Sequence, residues 1–585
     1  MNFLRNLLAS ILGSLVAFGI LFLMFMIFIS LANVDEGVVV KENSVLELQL
    51  KYPISDYTGD TEADPFAVFF EESQGLDEIL HAIKVAENDD KIKGISINSN
   101  YLIAGMAQTQ ALRNALADFK DQGKFIYSYG DFYLQKDYYL ATIADSIFLN
   151  PVGAMDFKGL SAEVLFYKEL QEKTGVKMEV IRHGKYKSAV EPYLADEMSD
   201  ANRRQISELI NSLWNSLVDD IAEARQLNVS ELNQIADTLG GRTPEFAKNS
   251  GLIDDLLYAD EYEAVLKSAS GITSDEDQNY VSLSDYITVA RKKKVYKGED
   301  KIAVIFAQGE ILYGEGNREI IGQGMITRAL RKAKENEDVK AVVLRVNSPG
   351  GSALTSDIIW REVELLKEVK PVVVSMGNVA ASGGYYIAVG ANKIFAEPTT
   401  ITGSIGVFGT IPNISELAGD IGINAEQVGT NKNSVDYSLF EPMTDEFREV
   451  VEEGIEATYN TFLHRVSEGR GISVPEADSL AQGRVWSGTD ALRLGLVDEL
   501  GGLNEAIEAA AELAELEDFG IKKLPRYKSG FARFMEDFAS VSTADNSDLI
   551  RKELGDEAYE IYRQIKSALK QKGIQARMPF TLNIK

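Results

Sequence analysis

The chain has 585 residues, 45% of them hydrophobic and 25% charged, which describes a globular protein too long for one core. Asp and Glu (89) outnumber Lys and Arg (59), and a net charge of −30 argues against nucleic acid as a partner. There is no cysteine and there are three histidines, His81, His183 and His464, so thiol nucleophiles, disulfides and thiolate metal sites are excluded and no metal or cofactor is expected.

The N-terminus stands apart from the globular body. Residues 7–32 read LLASILGSLVAFGILFLMFMIFISLA, and no charged residue occurs from Asn6 to Val34. At about 1.5 Å per residue, such a helix spans a hydrocarbon layer of about 30 Å. Arg5 precedes it and Asp35 and Glu36 follow, which predicts an anchor with the body on the far side of the membrane. The competing reading is a cleaved signal peptide, with small residues at Ser30-Leu31-Ala32. Its apolar stretch exceeds the usual roughly 7–15 residues of such peptides.

Beyond the anchor the chain repeats itself. At a shift of 247, Ser128, Gly130, Tyr138, Tyr139, Ala141, Ile147, Phe148, Pro151 and Gly159 fall on Ser375, Gly377, Tyr385, Tyr386, Ala388, Ile394, Phe395, Pro398 and Gly406. Later, Gly251-Leu252-Ile253-Asp254 matches Gly495-Leu496-Val497-Asp498 at a shift of 244, and small losses of register are what loop deletions produce. In each copy, short β-branched runs alternate with helix-like stretches, which predicts βαβ units with buried strands. The predicted parts are an anchor (1–35), a first repeat (36–267), a polar linker (268–300), a second repeat (301–518) and a helix-like tail (519–585). The RKKK run at 291–294 reads as a solvated face of the linker.

The repeat is most informative where it fails. Ser382, in GNVAASGGYYIA, falls on Gln135 of the first copy; Gly383 falls on Lys136 and Gly384 on Asp137. Small residues and glycines clear space around one side chain and let backbone approach closely, which suits a nucleophile beside an oxyanion hole. In the other direction, Lys187 of the first copy (GKYKSAVEP) falls on Ser434. Each copy holds what the other lacks.

A serine hydroxyl needs a base. Of the histidines only His183 sits near a site-like turn. Lys187 is the other candidate, and bringing a lysine from about 10.4 to about 7 takes burial away from carboxylates. Gly351, in the Pro-Gly-Gly turn after VVLRV, and Gly383 could supply two backbone N–H groups to an oxyanion, and Ser404 in TGSIG could hold the lysine amine.

Four motifs carry a resemblance: VNSPGGS (346–352), AASGGYYIA (380–388), PTTITGSIGVFG (398–409) and YKSAVEP (186–192). In this order and spacing they resemble signal peptide peptidase A in its long, two-repeat bacterial form. The resemblance implies a tandem α/β fold of ClpP/crotonase-like repeats with an N-terminal transmembrane helix. It further implies a serine endopeptidase with Ser382 as nucleophile and Lys187, from the other repeat, as general base. Gly351 and Gly383 fall on the oxyanion glycines, and Ser404 on the serine that positions the lysine. The resemblance also implies a homotetramer in the inner membrane with its body on the periplasmic side, acting on cleaved signal peptides and other apolar peptides. Two other readings remain open from the residues: a membrane scaffold that has lost its chemistry, and an acyl-CoA enzyme of the crotonase-like fold.

Overall fold

The structure is a computed structural model and describes residues 2–32, 38–59, 74–98, 100–273, 275–434, 437–527 and 575–578. The first repeat is a six-stranded parallel sheet in the order Asp255–Leu256, Ser146–Met155, Phe125–Tyr133, Ile92–Ile97, Ser44–Leu48, Tyr280–Ser282. The second repeat follows the same order with Glu499–Leu500, Lys393–Ala396, Val372–Ala381, Val339–Ser348, Lys301–Gln308 and Gly520–Leu524. Ile401–Gly403 and Val485–Ser487 extend it beyond the end of Val372–Ala381. The apolar runs expected of parallel strands covered on both faces are buried throughout: Val342, Val343, Leu344, Val372, Val373 and Val374 are all at 0% exposure.

The sheets move two boundaries. The polar stretch 268–300 is not only a linker: Tyr280–Ser282 closes the edge of the first sheet and the helix Leu283–Arg291 packs its Leu283, Tyr286 and Ala290 into the first core. Its counterpart Gly520–Leu524 closes the second sheet, so the tail begins with a strand where a helix was predicted. The two strands are only three and five residues long, and such short edge strands give little periodic signal. Gln575–Arg577 is also a strand, and the remainder of the tail lies outside the described residues.

A third sheet joins the repeats. Its order is Ile320–Gly322, Glu310–Leu312, Gly350–Ser352, Gln575–Arg577, Phe408–Asn413, Lys177–Arg182, so the first repeat contributes its last strand. Lys177–Arg182 pairs antiparallel with Phe408–Asn413, Arg182 opposite Phe408 and Lys177 opposite Asn413. A buried ion pair makes a second joint. Asp56 accepts from Arg345 Nε at 2.9 Å and from Gln108 Nε2 at 2.7 Å, while Arg345 Nη1 donates to Ser375 Oγ and the Met376 carbonyl, both at 2.8 Å. Removing one partner of such a pair strands a charge, so Asp56→Ala is expected to cost about 3–5 kcal/mol, and the Asp56→Ala/Arg345→Met double variant less. Urea midpoints read both; an unmoved midpoint for Asp56→Ala would show that the pair does not hold the repeats together.

The anchor expected over residues 7–32 falls on the helix Asn2–Ala32. Several side chains of that helix, among them those of residues 25–32, lie outside what the structure describes. Among the described residues no helix is long and apolar enough to cross a membrane.

Candidate active site

The strand Val372–Ala381 ends against Ser382, whose backbone is bent to φ 54° and ψ −114° before the helix Gly383–Ala388 begins. Such a conformation costs a residue with a Cβ about 1–3 kcal/mol and persists only where its surroundings hold it. Two hydrogen bonds hold it here: Ser382 N donates to the Gly403 carbonyl at 2.8 Å, and Tyr386 N donates to the Ser382 carbonyl at 2.8 Å. The flanking small residues are needed for this bend. A Cβ on Gly384 would lie 2.7 Å from the Ser348 carbonyl oxygen, and Ala380 and Ala381 are fully buried.

Lys187 reaches the same point from the other repeat. The strand Lys177–Arg182 aims the chain across the third sheet, and the following turn is tied down on both sides. Tyr186 N donates to the Gln482 carbonyl at 2.8 Å, while Gln205 Nε2 donates to the Tyr186 carbonyl at 3.0 Å and to Ser188 Oγ at 2.8 Å. The side chain is at 0% exposure, and its Nζ lies 2.9 Å from Ser382 Oγ and 3.0 Å from both the carbonyl oxygen and the Oγ of Ser404. Burial pushes the Lys187 amine well below the ordinary lysine range, and no carboxylate acts to raise it again. A neutral amine has two N–H bonds and one lone pair. The two donors match the two Ser404 oxygens, and the lone pair is left for the Ser382 hydroxyl proton.

Ser404 is itself strained, at φ 50°, with its N–H donating to the Arg484 carbonyl at 2.6 Å. Its carbonyl and hydroxyl therefore face one amine because the turn is fixed from outside. Gly351 lies in the strand Gly350–Ser352 and Gly383 directly after Ser382. From the point where a Cβ on Gly383 would stand, the Gly351 amide nitrogen is 3.2 Å away, so the two candidate oxyanion residues are neighbours.

The histidines are occupied elsewhere. His183 pairs through Nδ1 with Glu456 and stacks on Tyr459 at 4.0 Å, His81 Nε2 faces the carbonyls of Ala290 and Lys293, and His464 is exposed. Sequence reasoning missed Gln205, and it missed Gly406 and Gly483, which make room for the lysine. A Cβ on Gly483 would stand 2.6 Å from the Lys187 Cβ, and one on Gly406 would stand 3.2 Å from its Cδ. Gly483, at φ 80° in AQGRVW, carried a weak turn signal; Gln205, inside a long helix, carried none.

In the first repeat the equivalent place is filled. Gln135 Nε2 donates to the Gly159 carbonyl at 3.0 Å, and Lys136 Nζ donates to the Ala104 carbonyl at 2.5 Å. Asp137 takes the amides of Leu102 and Tyr101 at 2.8 and 3.3 Å, so a carboxylate occupies the start of the stretch 102–104 that falls on Pro349-Gly350-Gly351.

Residues 118–273 and 364–517 match peptidase family S49. The chain belongs to peptidase family S49. One matched span lies in each repeat, and between them they contain Lys187, Ser382 and Ser404. Protease 4 of Haemophilus influenzae is 39% identical over 461 residues, 76% of this chain and 75% of that protein. Protease 4 of Salmonella typhi is 38% identical over 77% of this chain and 73% of its own length. The chloroplastic serine protease SPPA of Arabidopsis thaliana is 33% identical over 82% of this chain and 70% of that protein. Among solved structures, a point mutant of ClpP1 from Listeria monocytogenes has 16% identity and a TM-score of 0.24, over 35% of this chain and 94% of that one. This S49 member is therefore a serine protease of the long, two-repeat form, and the crotonase-type CoA reading falls away.

Proposed function

We propose that this chain is a membrane-anchored serine endopeptidase whose Ser-Lys dyad is divided between its repeats and degrades signal peptides and similar apolar peptides left after export. The observation that carries the reading is the 2.9 Å approach of a fully buried Lys187 amine to Ser382 Oγ, with no carboxylate to charge it. Ser382 Oγ attacks the peptide carbonyl carbon and its proton passes to Lys187 Nζ. The oxyanion is held by the N–H groups of Gly351 and Gly383. Lysinium then protonates the leaving amine, and water hydrolyses the acyl-enzyme with Lys187 again as base. Ser404 keeps the amine in place through both proton transfers.

Anchoring is supported by the helix Asn2–Ala32, which leaves Leu12 65% and Phe18 71% exposed in a stretch without charge. An anchor of that polarity sets the body on the periplasmic side of the inner membrane, close to peptides that leave the export machinery. Assembly as a homotetramer, the form the long two-repeat enzymes take, belongs to the same reading.

The pH profile tests the mechanism. A protonated lysine cannot accept the serine proton, so kcat/KM for a detergent-solubilised apolar peptide should fall towards acid pH and level off as pH rises. The midpoint should lie well below about 10.4, the ordinary lysine value, because burial favours the neutral amine. Ser382→Ala should remove turnover at every pH. A wild-type rate that is flat from acid to alkaline pH would sink Lys187 as the base.

A further inference from the structure

The long helix Asp200–Arg225 of the first repeat reaches both Lys187 and the strands that carry Ser382 and Ser404. It does so with one buried stripe at helical spacing: Asn202, Gln205, Leu209 and Leu213. Leu209 and Leu213 pack with Ala381, Ile401 and Val485 of the second repeat. Ala381 directly precedes Ser382, and Ile401 begins the strand that ends one residue before Ser404. One turn nearer the helix start, Gln205 meets the turn that carries Lys187. Residues on one face of a helix interior keep a fixed spacing, so this stripe ties the position of the amine to the position of the serine.

The Gln205 amide grips both sides of the lysine. Its Nε2 donates to the Tyr186 carbonyl at 3.0 Å and to Ser188 Oγ at 2.8 Å, and its Oε1 stands 3.5 Å from Val485 N. The Tyr186 carbonyl belongs to the peptide group that ends in the Lys187 nitrogen, so a bond to it fixes the direction in which the lysine side chain leaves the turn. Arg182 Nη1 holds the following peptide group through the Lys187 carbonyl at 3.2 Å. Asn202, whose Oδ1 lies 3.2 Å from Gln205 Nε2, has a second partner. Its Nδ2 donates to Glu191 Oε2 at 2.5 Å, while Ser199 N donates to Glu191 Oε1 at 3.3 Å. Glu191 is a buried carboxylate four residues after Lys187, and these bonds hold its charge at the start of the helix.

We propose that Gln205 is a positioning residue for the Ser-Lys reaction: it sets where the Lys187 amine stands against Ser382 Oγ, and with Asn202 it keeps the Glu191 charge away from that amine. The inference rests on the Ser382–Lys187 reading and deepens it. Gln205 touches neither substrate nor the reacting atoms and acts through the two residues that flank the lysine. A small rotation of that turn is magnified along the four methylenes of the side chain, and a misplacement of about 1 Å at a reacting group can cost about 10²-fold in rate. The amine is charged and discharged twice in each turnover, and a loosely held turn would let the charged form move away from the serine. Glutamine suits the place because it donates on one side and accepts on the other without charge. A glutamate there would keep the shape, lose the donors and bring a second carboxylate beside the lysine turn.

The test compares the full chain in detergent as wild type, Gln205→Leu, Gln205→Glu and Leu217→Ala. It reads kcat and KM for an apolar peptide, the pH midpoint of kcat/KM and the melting temperature. Leu217 lies about three turns further along the same helix, buried in the first core, so its truncation softens the helix at a distance from the lysine turn. Gln205→Leu should lower kcat by about 10²-fold with KM unchanged, the pattern of a loss felt in the transition state. Gln205→Glu, which keeps the shape and carries the test should the leucine variant fail to fold, should move the pH midpoint up, because a nearby negative charge favours lysinium. Leu217→Ala should lower the melting temperature and leave kcat and the midpoint where they are. Wild-type kcat and midpoint in the Gln205 variants, with Lys187→Met inactive, would overturn the proposal and leave the Ser-Lys reading standing. The same kcat loss and midpoint shift in Leu217→Ala would overturn it too, since the role of Gln205 would then be structural. Turnover by Lys187→Met would remove the Ser-Lys reading, and the positioning role with it.

Discussion

Lys187→Met is expected to abolish peptide turnover, by about 10⁴-fold or more, the scale seen when one member of a catalytic unit is removed. It should do so without loss of stability at neutral pH. Lys187 is fully buried and burial alone pushes its amine down. In the unfolded chain the same lysine titrates near about 10.4, so between the two values the unfolded state binds the extra proton and stability rises with pH through that window. At pH 7 the wild type therefore carries a cost for keeping this amine in its site, and methionine, of similar length and apolar, removes it. The melting temperature of Lys187→Met at pH 7 should be no lower than that of the wild type, and any gain should shrink towards pH 10. Retained turnover would place the base elsewhere. A collapsed melting temperature would mean that the amine's bonds to Ser404 outweigh its burial.

Gly350→Ala should lower kcat by about 10²–10³-fold, the loss that follows from disabling an oxyanion hole. The reason is space and backbone together. Gly350 adopts φ 95°, which a residue with a Cβ rarely accepts, and its Cβ would project to within 2.2 Å of the Ala576 carbonyl oxygen and 2.7 Å of the Gly383 amide nitrogen. With Gly351 and Gly383 as the proposed oxyanion donors, that is the volume a substrate carbonyl would enter. The fall should appear in kcat measured with saturating peptide, with the melting temperature reporting separately on the turn. A variant with normal kcat would show that the reacting carbonyl lies elsewhere than over Gly351 and Gly383.

Much of this protein was legible in its residues. The duplication could be read from paired apolar and glycine positions, because strands and turns of a βαβ unit impose their own local spacing on a chain. The site candidates could be read from the places where the copies differ. Ser382 is marked by the small neighbours its bend requires, and Lys187 by having no counterpart at Ser434. Edge strands were less legible. Tyr280–Ser282 and Gly520–Leu524 were read as linker and helix-like tail, since short segments that pair on one side only need little apolar pattern.

By itself, then, the sequence determined the fold class, the duplication and the residues that meet at the site, since these depend on spacing along a single strand, turn or helix. Tertiary structure decided the rest. Lys187 is an ordinary lysine until Gly406, Gly483 and the Ser404 turn enclose it, and desolvation is a property of surroundings drawn from both repeats. The strand Gln575–Arg577 is a short polar segment until Gly350–Ser352 and Phe408–Asn413 present it with two open edges. Pairing of that kind is written into backbone groups, which every residue carries alike, so no local pattern announces it.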